Sequence, residues 1–275
     1  MGNKILLLGN GYIGSRICSE LGGVMSKRRI TSLADARDEI ASQSPDILIN
    51  CIGHTGKSNV DDCEVNPDAA LFANTCVPII LAEAALRAKI KYVHLSSGCI
   101  YHYDYEKDPP LEEEKVPDFF DLYYSRTKIY AERALGVLQE RGGGNILIPR
   151  LRIPLDDRPH PRNLLSKLLR FSRVIDAANS VTYIPDFIRA LKHLLSRDAR
   201  GLYNLVNDGA LVYSELLDIY RKHVPEYSYE VISYKELPLV RTNLILSTEK
   251  LKRSGFAVRA IQEVLEECVQ SYLRS

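Results

Sequence analysis

Lys4-Ile5-Leu6-Leu7-Leu8-Gly9-Asn10-Gly11-Tyr12-Ile13-Gly14 decides the fold of this chain. An apolar run from Ile5 to Leu8 passes directly into a glycine-rich turn, and an apolar-periodic segment follows to about Leu21. Strand, Gly-x-Gly-x-x-Gly turn and helix is the context in which that motif holds the pyrophosphate of a dinucleotide. The first glycine permits a tight turn, and the second lets backbone N–H groups approach a phosphate. The third lets the helix pack close to the strand. Gly9, Asn10, Gly11, Tyr12, Ile13 and Gly14 are therefore candidate cofactor-binding residues. The start of the chain at Met1 superficially resembles a leader, but its short apolar run ends in glycine and reads as a strand.

Outward from this unit, strands and helices alternate. Ser32-Leu33-Ala34-Asp35 is a capping box opening a helix to about Ala41, and Asp46–Asn50 is a buried strand. A long Ala- and Leu-rich helix runs from Pro67 to about Lys89. Lys91–Leu95 is a strand, Leu122–Leu138 a helix and Asn145–Arg150 a further strand. Strands separated by helices of this length imply crossover units and a parallel sheet. Tyr103–Asp118 holds Pro109-Pro110 and Glu112-Glu113-Glu114 without a period, and reads as a solvated surface loop, with a ligand-covering lid as the alternative. After Pro154 short helices (Leu164–Arg170, Asp186–Ser196, Tyr213–His223, Arg259–Tyr272) mix with short strands such as Leu202–Val206. This predicts a dinucleotide-binding core over 1–155, rejoined by 172–206, and a smaller lobe within 156–275 interleaved with it.

Composition narrows the function classes. The 275 residues carry 36 Lys plus Arg against 35 Asp plus Glu, a formal net charge of +1. That balance argues against a basic nucleic-acid footprint, and no polybasic run marks a membrane surface. No stretch of about 18 apolar residues is evident, so a membrane span is not expected. Cys18, Cys51, Cys63, Cys76, Cys99 and Cys268 form no CxxC pair and accompany no histidine cluster, so no metal site is expected. Scattered thiols and no evident signal peptide lead us to expect a reducing, cytoplasmic location.

The second strand is predicted to end near Ser26, and Lys27-Arg28-Arg29 follows where a 2′-phosphate would sit. An acidic residue in that region would instead favour NADH through the ribose hydroxyls. Asp35 and Asp38 fall in the first two turns of a predicted helix, where capping and the helix dipole account for them. Lys27 and Arg28 therefore point to NADPH rather than NADH.

Tyr124-Ser125-Arg126-Thr127-Lys128 places Tyr124 and Lys128 on one face of a helix. A lysine at that distance lowers the phenol pKa from about 10 and makes Tyr124 a usable acid near neutrality. Tyr123 has Thr127 at the same offset and cannot do this. Ser96-Ser97-Gly98-Cys99 follows the strand ending at Leu95, where ligands of parallel sheets bind and where a hydroxyl can meet a substrate carbonyl.

Glycine loop, serine after a later strand and YxxxK in this order resemble the extended short-chain dehydrogenase/reductase superfamily over nearly the whole chain. Asn50-Cys51-Ile52-Gly53-His54-Thr55 resembles that family's cofactor-lining loop, adding Cys51, Ile52 and Gly53, and Asn74 matches its active-site asparagine. Val181–Asp186 and Gly201–Leu205 look like its late core segments. A narrower resemblance, to nucleotide-rhamnose synthases and dTDP-4-dehydrorhamnose reductases, rests on several stretches. These are Asn59–Glu64, Gly98-Cys99-Ile100-Tyr101, Arg152-Ile153-Pro154, Pro161-Arg162-Asn163, Arg241-Thr242-Asn243 and Ser247–Leu251. The glycine loop is one residue shorter than the GxxGxxG of those enzymes.

The resemblance implies an α/β chain with a Rossmann-like doubly wound parallel sheet, a smaller C-terminal substrate-binding lobe and a homodimer. It further implies NADPH-dependent reduction of a nucleotide-4-keto-6-deoxyhexose at C4, coupled to 3,5-epimerisation in the same site. Tyr124, Lys128 and Ser97 would serve the reduction, and Cys99 and Lys167 the epimerisation. Ser97, Gly98, Cys99, Arg152, Arg162, Asn163, Arg241 and Asn243 would meet the nucleotide-diphosphate sugar, although Asn163 also stands where it would cap a helix. A dehydratase is disfavoured because Gly98 and Cys99 replace the acidic pair such enzymes carry. A 4-keto reductase without epimerase activity and a non-catalytic NADP-binding redox sensor are the alternatives.

Overall fold

The structure is a computed structural model describing residues 3–56, 59–236 and 240–275. Met1 and Gly2, at the head of the stretch read as a strand, lie outside them. The elements begin β1 (Ile5–Leu8), α1 (Tyr12–Leu21), β2 (Val24–Met25), α2 (Leu33–Gln43), β3 (Ile47–Asn50), α3 (Asp62–Val65) and α4 (Pro67–Leu71). A π-helical turn, Phe72–Cys76, leads into α5 (Val77–Ala88), β4 (Lys91–His94), β5 (Ser96–Ser97), α6 (Tyr123–Gly142) and β6 (Ile146–Leu151). Next come β7 (Pro154–Leu155), α7 (Leu164–Leu168), β8 (Arg173–Ile175), β9 (Thr182–Tyr183), α8 (Ile184–Ser196) and β10 (Gly201–Asn204). The chain closes with α9 (Tyr213–His223), β11 (Glu230–Ile232), α10 (Glu249–Arg253) and α11 (Ile261–Arg274).

The chain divides into two compact units. The first comprises 1–100, 117–150 and 195–203, and the second 101–116, 151–194 and 204–275. In the first, the sheet order is β10-β6-β4-β3-β1-β2, with β5 against β6. β1 pairs in parallel with both β2 and β3, β3 with β4, and β4 with β6. This is a doubly wound parallel sheet. Its central strands are near-continuous apolar runs because helices cover both faces. Leu6, Leu8 and Leu48 pack with Ala82 and Ala85 of α5 and Ile40 of α2 in one core. The strand order reverses between β1 and β3, so the crevice beyond their C-terminal ends is where such sheets take ligands.

Three expectations change here. The helix Pro67–Ala88, taken with its π-helical turn, is long and apolar enough by composition to span a membrane, contrary to the sequence reading. Half of its most apolar stretch is buried within the fold, as suits a core helix. The return of 172–206 shrinks to 195–203, because Val174, Val181 and Tyr183 bury in the second unit's own core with Leu165, Leu217 and Leu265. Tyr103–Asp118 is not simply a solvated loop. Leu111 and Glu113 are buried, Leu111 bridges to Leu246, and Glu113 Oε1 accepts from Asn204 N at 2.7 Å.

Candidate active site

The glycine turn sits at the reversal point of the sheet. Gly9 has φ +97°, and a Cβ there would lie 2.6 Å from both Cys51 C and Ile52 N in the loop after β3. A Cβ on Gly14 would lie 2.0 Å from Gly9 O. Both glycines are demanded by the protein's own backbone packing. Gly11 is not: nothing lies within 4 Å of a Cβ placed there. It caps α1, whose first turn holds no acidic side chain. Open backbone at a ten-residue helix N-terminus is receptive to anions, so the residues present fit a dinucleotide's pyrophosphate.

The basic turn follows β2, the neighbour of β1. Lys27, Arg28 and Arg29 are exposed. Arg28 is engaged by two carboxylates, Asp38 Oδ2 at 3.1 Å and Asp35 Oδ1 at 3.6 Å. Asp35 belongs to the cap, accepting from Thr31 Oγ1 at 2.6 Å and Ser32 Oγ at 3.0 Å. These bonds hold its carboxyl well below the usual carboxylate range. Capping alone does not account for Asp38, which is an ion-pair partner of Arg28. Exposed pairs of this kind contribute little to stability.

Tyr124 lies in the first turn of α6, buried with Cys63 and Ala70, and Cys99 packs against the same cluster. The helix has no side-chain cap of its own, and Glu64 of α3 accepts from Tyr123 N at 2.6 Å. One turn on, Lys128 is buried and donates to Leu95 O at 3.1 Å. Burial depresses its pKa to about 8, against the opposing pull of Glu132 and Cys51. A Cβ on Gly53 would stand 3.9 Å from Lys128 Nζ and 3.5 Å from Asn74 Oδ1, so these three residues converge. Ser97 Oγ accepts from Cys99 N at 3.2 Å while Ser125 Oγ donates to Cys99 O at 2.5 Å. The Cys99 backbone is thus clamped from both sides.

Asn74 lies in the π-helical turn and its amide is fully committed. Oδ1 accepts from His54 N at 2.7 Å, and Nδ2 donates to His54 O at 2.9 Å and Thr127 Oγ1 at 3.1 Å. It braces the loop after β3 against α6 rather than offering free donors to a ligand. A second buried network lies beneath. Asn50 Oδ1 accepts from Ile52 N, so its Nδ2 faces Tyr92 Oη at 3.1 Å and His94 Nδ1 at 3.2 Å. His94 Nδ1 must then be the acceptor, and burial holds the ring neutral.

The second unit carries the remaining candidates. Arg152 is buried, donating to Thr242 Oγ1 at 2.7 Å, to Asn179 Oδ1 at 2.8 Å and to Thr242 O. Asn243 Oδ1 joins the cluster by accepting from Asn179 Nδ2 at 3.0 Å. Asn163 is a brace and helix cap: its Oδ1 accepts from Leu165 N and Asp156 N, and its Nδ2 donates to Asp156 O and Arg158 O. The expectation of a substrate contact there yields to the cap, since no polar capacity is left over. Lys167 is exposed by area, yet the surrounding protein and the charges of Arg162 and Arg170 lower its pKa. Arg162 is exposed, and Arg241 donates to Val240 O. Among the described residues, no group of three or more His, Cys, Asp or Glu is placed to hold a metal.

Sequence reasoning quoted Asn50 and Glu64 only inside longer matching stretches, and it assigned no task to them, to His94 or to the pair Glu132–Arg150. Only Glu132 carried a local signal, standing four residues after Lys128 as Lys128 stands after Tyr124.

Comparison with known proteins follows the same lines. The profile of the NAD dependent epimerase/dehydratase family matches residues 5–205. A trifunctional UDP-glucose 4,6-dehydratase/UDP-4-keto-6-deoxy-D-glucose 3,5-epimerase/UDP-4-keto-L-rhamnose-reductase of Arabidopsis thaliana is 28% identical, over 95% of this chain. The chain spans only 41% of that relative's length. A bifunctional dTDP-4-dehydrorhamnose 3,5-epimerase/dTDP-4-dehydrorhamnose reductase of the same plant is 29% identical, over 82% of this chain and 77% of that one. Among solved structures, a UDP-rhamnose synthase of Acanthamoeba polyphaga mimivirus matches with TM-score 0.88 and 25% identity, over 98% and 100% of the two chains. A dTDP-4-dehydrorhamnose reductase of Bacillus anthracis in complex with NADP matches with TM-score 0.83 over 100% and 99%. At 19% identity that second likeness is one of fold.

Proposed function

The chain belongs to the NAD dependent epimerase/dehydratase family, and we propose that it reduces a nucleotide-4-keto-6-deoxyhexose at C4 with a nicotinamide cofactor. One observation carries this: Tyr124, Ser97 and a buried Lys128 gather in the unit that holds the open glycine turn, with Lys128 Nζ close to Gly53. The relatives named above, which make or reduce 4-keto-rhamnose nucleotides, supply the substrate class.

Gly9–Gly14 would hold the pyrophosphate, and Lys27 and Arg28 a 2′-phosphate, which favours NADPH. The nicotinamide, when bound, supplies the hydride that C4 receives. Tyr124 gives the proton to the C4 oxygen, Ser97 donates a hydrogen bond to that oxygen, and the Lys128 cation stabilises the phenolate left at Tyr124. Arg28→Ala should weaken NADPH binding about tenfold or more, since a hydrogen bond to a charged group contributes about 1.5–3 kcal/mol. NADH binding should change little. Equal losses for both cofactors, read by fluorescence titration, would remove Arg28 from 2′-phosphate recognition.

We further propose that epimerisation precedes reduction. The 4-keto group acidifies the C3 and C5 protons, so a base can remove one and return it from the opposite face. Cys99 and Lys167 are the candidates for these transfers. Their ordinary pKa values of about 8.5 and 10.4 require tuning by the site, and Lys167 is shifted in the useful direction.

The experiment supplies purified protein with UDP- or dTDP-4-keto-6-deoxyglucose and NADPH in heavy water. Deuterium at C3 and C5 of the reduced sugar is expected. Reduction without exchange would leave a reductase alone, and no NADPH oxidation would sink both readings. Cys99→Ala should slow exchange more than it slows reduction of a pre-epimerised ketone. Exchange at the wild-type rate would take Cys99 out of the mechanism.

A further inference from the structure

Tyr124, Lys128 and Glu132 recur at single-turn spacing on one face of α6, and all three are buried. The proposed chemistry uses only the first two. Glu132 ends in a bidentate pair with Arg150 of β6, with Nε 3.0 Å from Oε1 and Nη2 2.6 Å from Oε2. Arg150 is only 1% exposed. An enclosed ion pair of this kind is often no more stabilising than an apolar pair of similar volume. Stability therefore gives little reason to place one here, whereas a buried ammonium one turn away needs a counter-charge.

We propose that Glu132, locked in place by Arg150, is a positioning residue of the reaction: it keeps Lys128 in its ammonium form against Leu95 O, where that charge assists proton transfer from Tyr124. The inference rests on the Tyr124–Lys128 reading above.

The groups around Lys128 support the assignment. From its own helix come Tyr124 and Glu132. The loop after β3 contributes Cys51, β4 contributes His94, and β6 contributes Arg150, engaged by Glu132. The π-helical turn contributes Asn74, which carries no charge. Burial holds His94 neutral and pushes the Cys51 thiol up to about 12, so neither supplies an anion near neutrality. Among the described residues, Glu132 is the carboxylate that acts on Lys128. The sign follows: a neighbouring anion favours the protonated amine, so removing it lets Lys128 lose its proton at lower pH.

The test uses the full chain with Glu132→Gln, and with the double change Glu132→Met and Arg150→Met, which removes the carboxylate without stranding a buried cation. Lys128 is titrated by 13C NMR of its Cε, assigned by the signal lost in Lys128→Met, alongside the pH profile of kcat for reduction. In Glu132→Gln the Lys128 midpoint and the alkaline limb should fall together by about one pH unit or more; in the double variant, which also removes the opposing Arg150 cation, they should fall in the same direction by less. An unchanged midpoint overturns the proposal. So does a double variant in which the midpoint does not fall at all, since the shift in Glu132→Gln would then come from the stranded Arg150 cation. If Glu132→Gln does not fold, the double variant decides alone. A shifted midpoint in a protein that reduces no nucleotide 4-keto sugar upholds the charge relation and rejects the reductase reading instead.

Discussion

Tyr124→Phe should leave the fold intact and reduce the rate of 4-keto reduction by a factor of about 100 to 10,000, the range a positioned proton donor supplies. The substitution deletes one hydroxyl. The ring itself is 7% exposed and packs with Cys63, Ala70 and Cys99, contacts that phenylalanine preserves. Among the described residues, neither polar neighbour named for the reaction is suited to take over. Lys128 is one turn away and already donates to Leu95 O, and Ser97, whose Oγ accepts from Cys99 N, keeps its proton for a hydrogen bond to the C4 oxygen and, as an alcohol of high pKa, is a poor acid. The loss should fall on kcat, with cofactor and sugar affinity retained, because the proton moves only as C4 is reduced. NADPH oxidation and calorimetric binding on the same preparation separate the two. A loss below tenfold would mean that another group protonates the oxygen.

The second large effect separates two glycines three residues apart. Gly14→Ala drives a methyl group to 2.0 Å from Gly9 O, a backbone atom that cannot step aside without moving the turn. Overpacking of this kind costs about 1–3 kcal/mol where the surroundings adjust, and more where they are backbone. A lowered thermal midpoint and loss of cofactor binding should therefore appear together. Gly11→Ala meets nothing within 4 Å, so the midpoint should stay near that of the wild type. Dinucleotide affinity should still fall, because the new methyl group occupies the approach to the helix N-terminus. If Gly11→Ala binds NADPH as tightly as the wild type, the pyrophosphate does not lie there.

What could be read from the residues follows the range of the forces involved. Ile5–Leu8 and Ile47–Asn50 are short apolar runs whose burial on both faces dictates their composition, so a parallel sheet was legible. The turn from Gly9 to Gly14 was legible because backbone contact forbids a side chain at its first and last positions. Asn74 was singled out, but its task was not, since a bond to His54 twenty residues away leaves no local trace. In the π-helical turn that carries it, Phe72–Cys76, Asn74 and Thr75 bond Thr127 of α6, more than fifty residues away, and such bonds leave no local trace either. Glu113 illustrates the same limit. In a run of three glutamates it reads as solvated, yet it bonds Asn204 across 91 residues of chain. Arg150 looked like the last residue of a strand, and only Glu132 opposite explains why a guanidinium tolerates full burial.

The edge strand β10 has a bearing on how the protein is made. It is contributed by Gly201–Asn204, yet it completes the sheet begun at Ile5. On the ribosome, an N-terminal unit ordinarily folds while later sequence is still being synthesised. Here the last strand of that sheet does not exist until residue 204 of 275 has been translated. Until then the outer edge of β6 is an uncovered row of hydrogen-bonding groups, open to pairing with other nascent chains. A chain truncated before Gly201 would keep the glycine turn, Tyr124 and Lys128, but would carry that edge permanently.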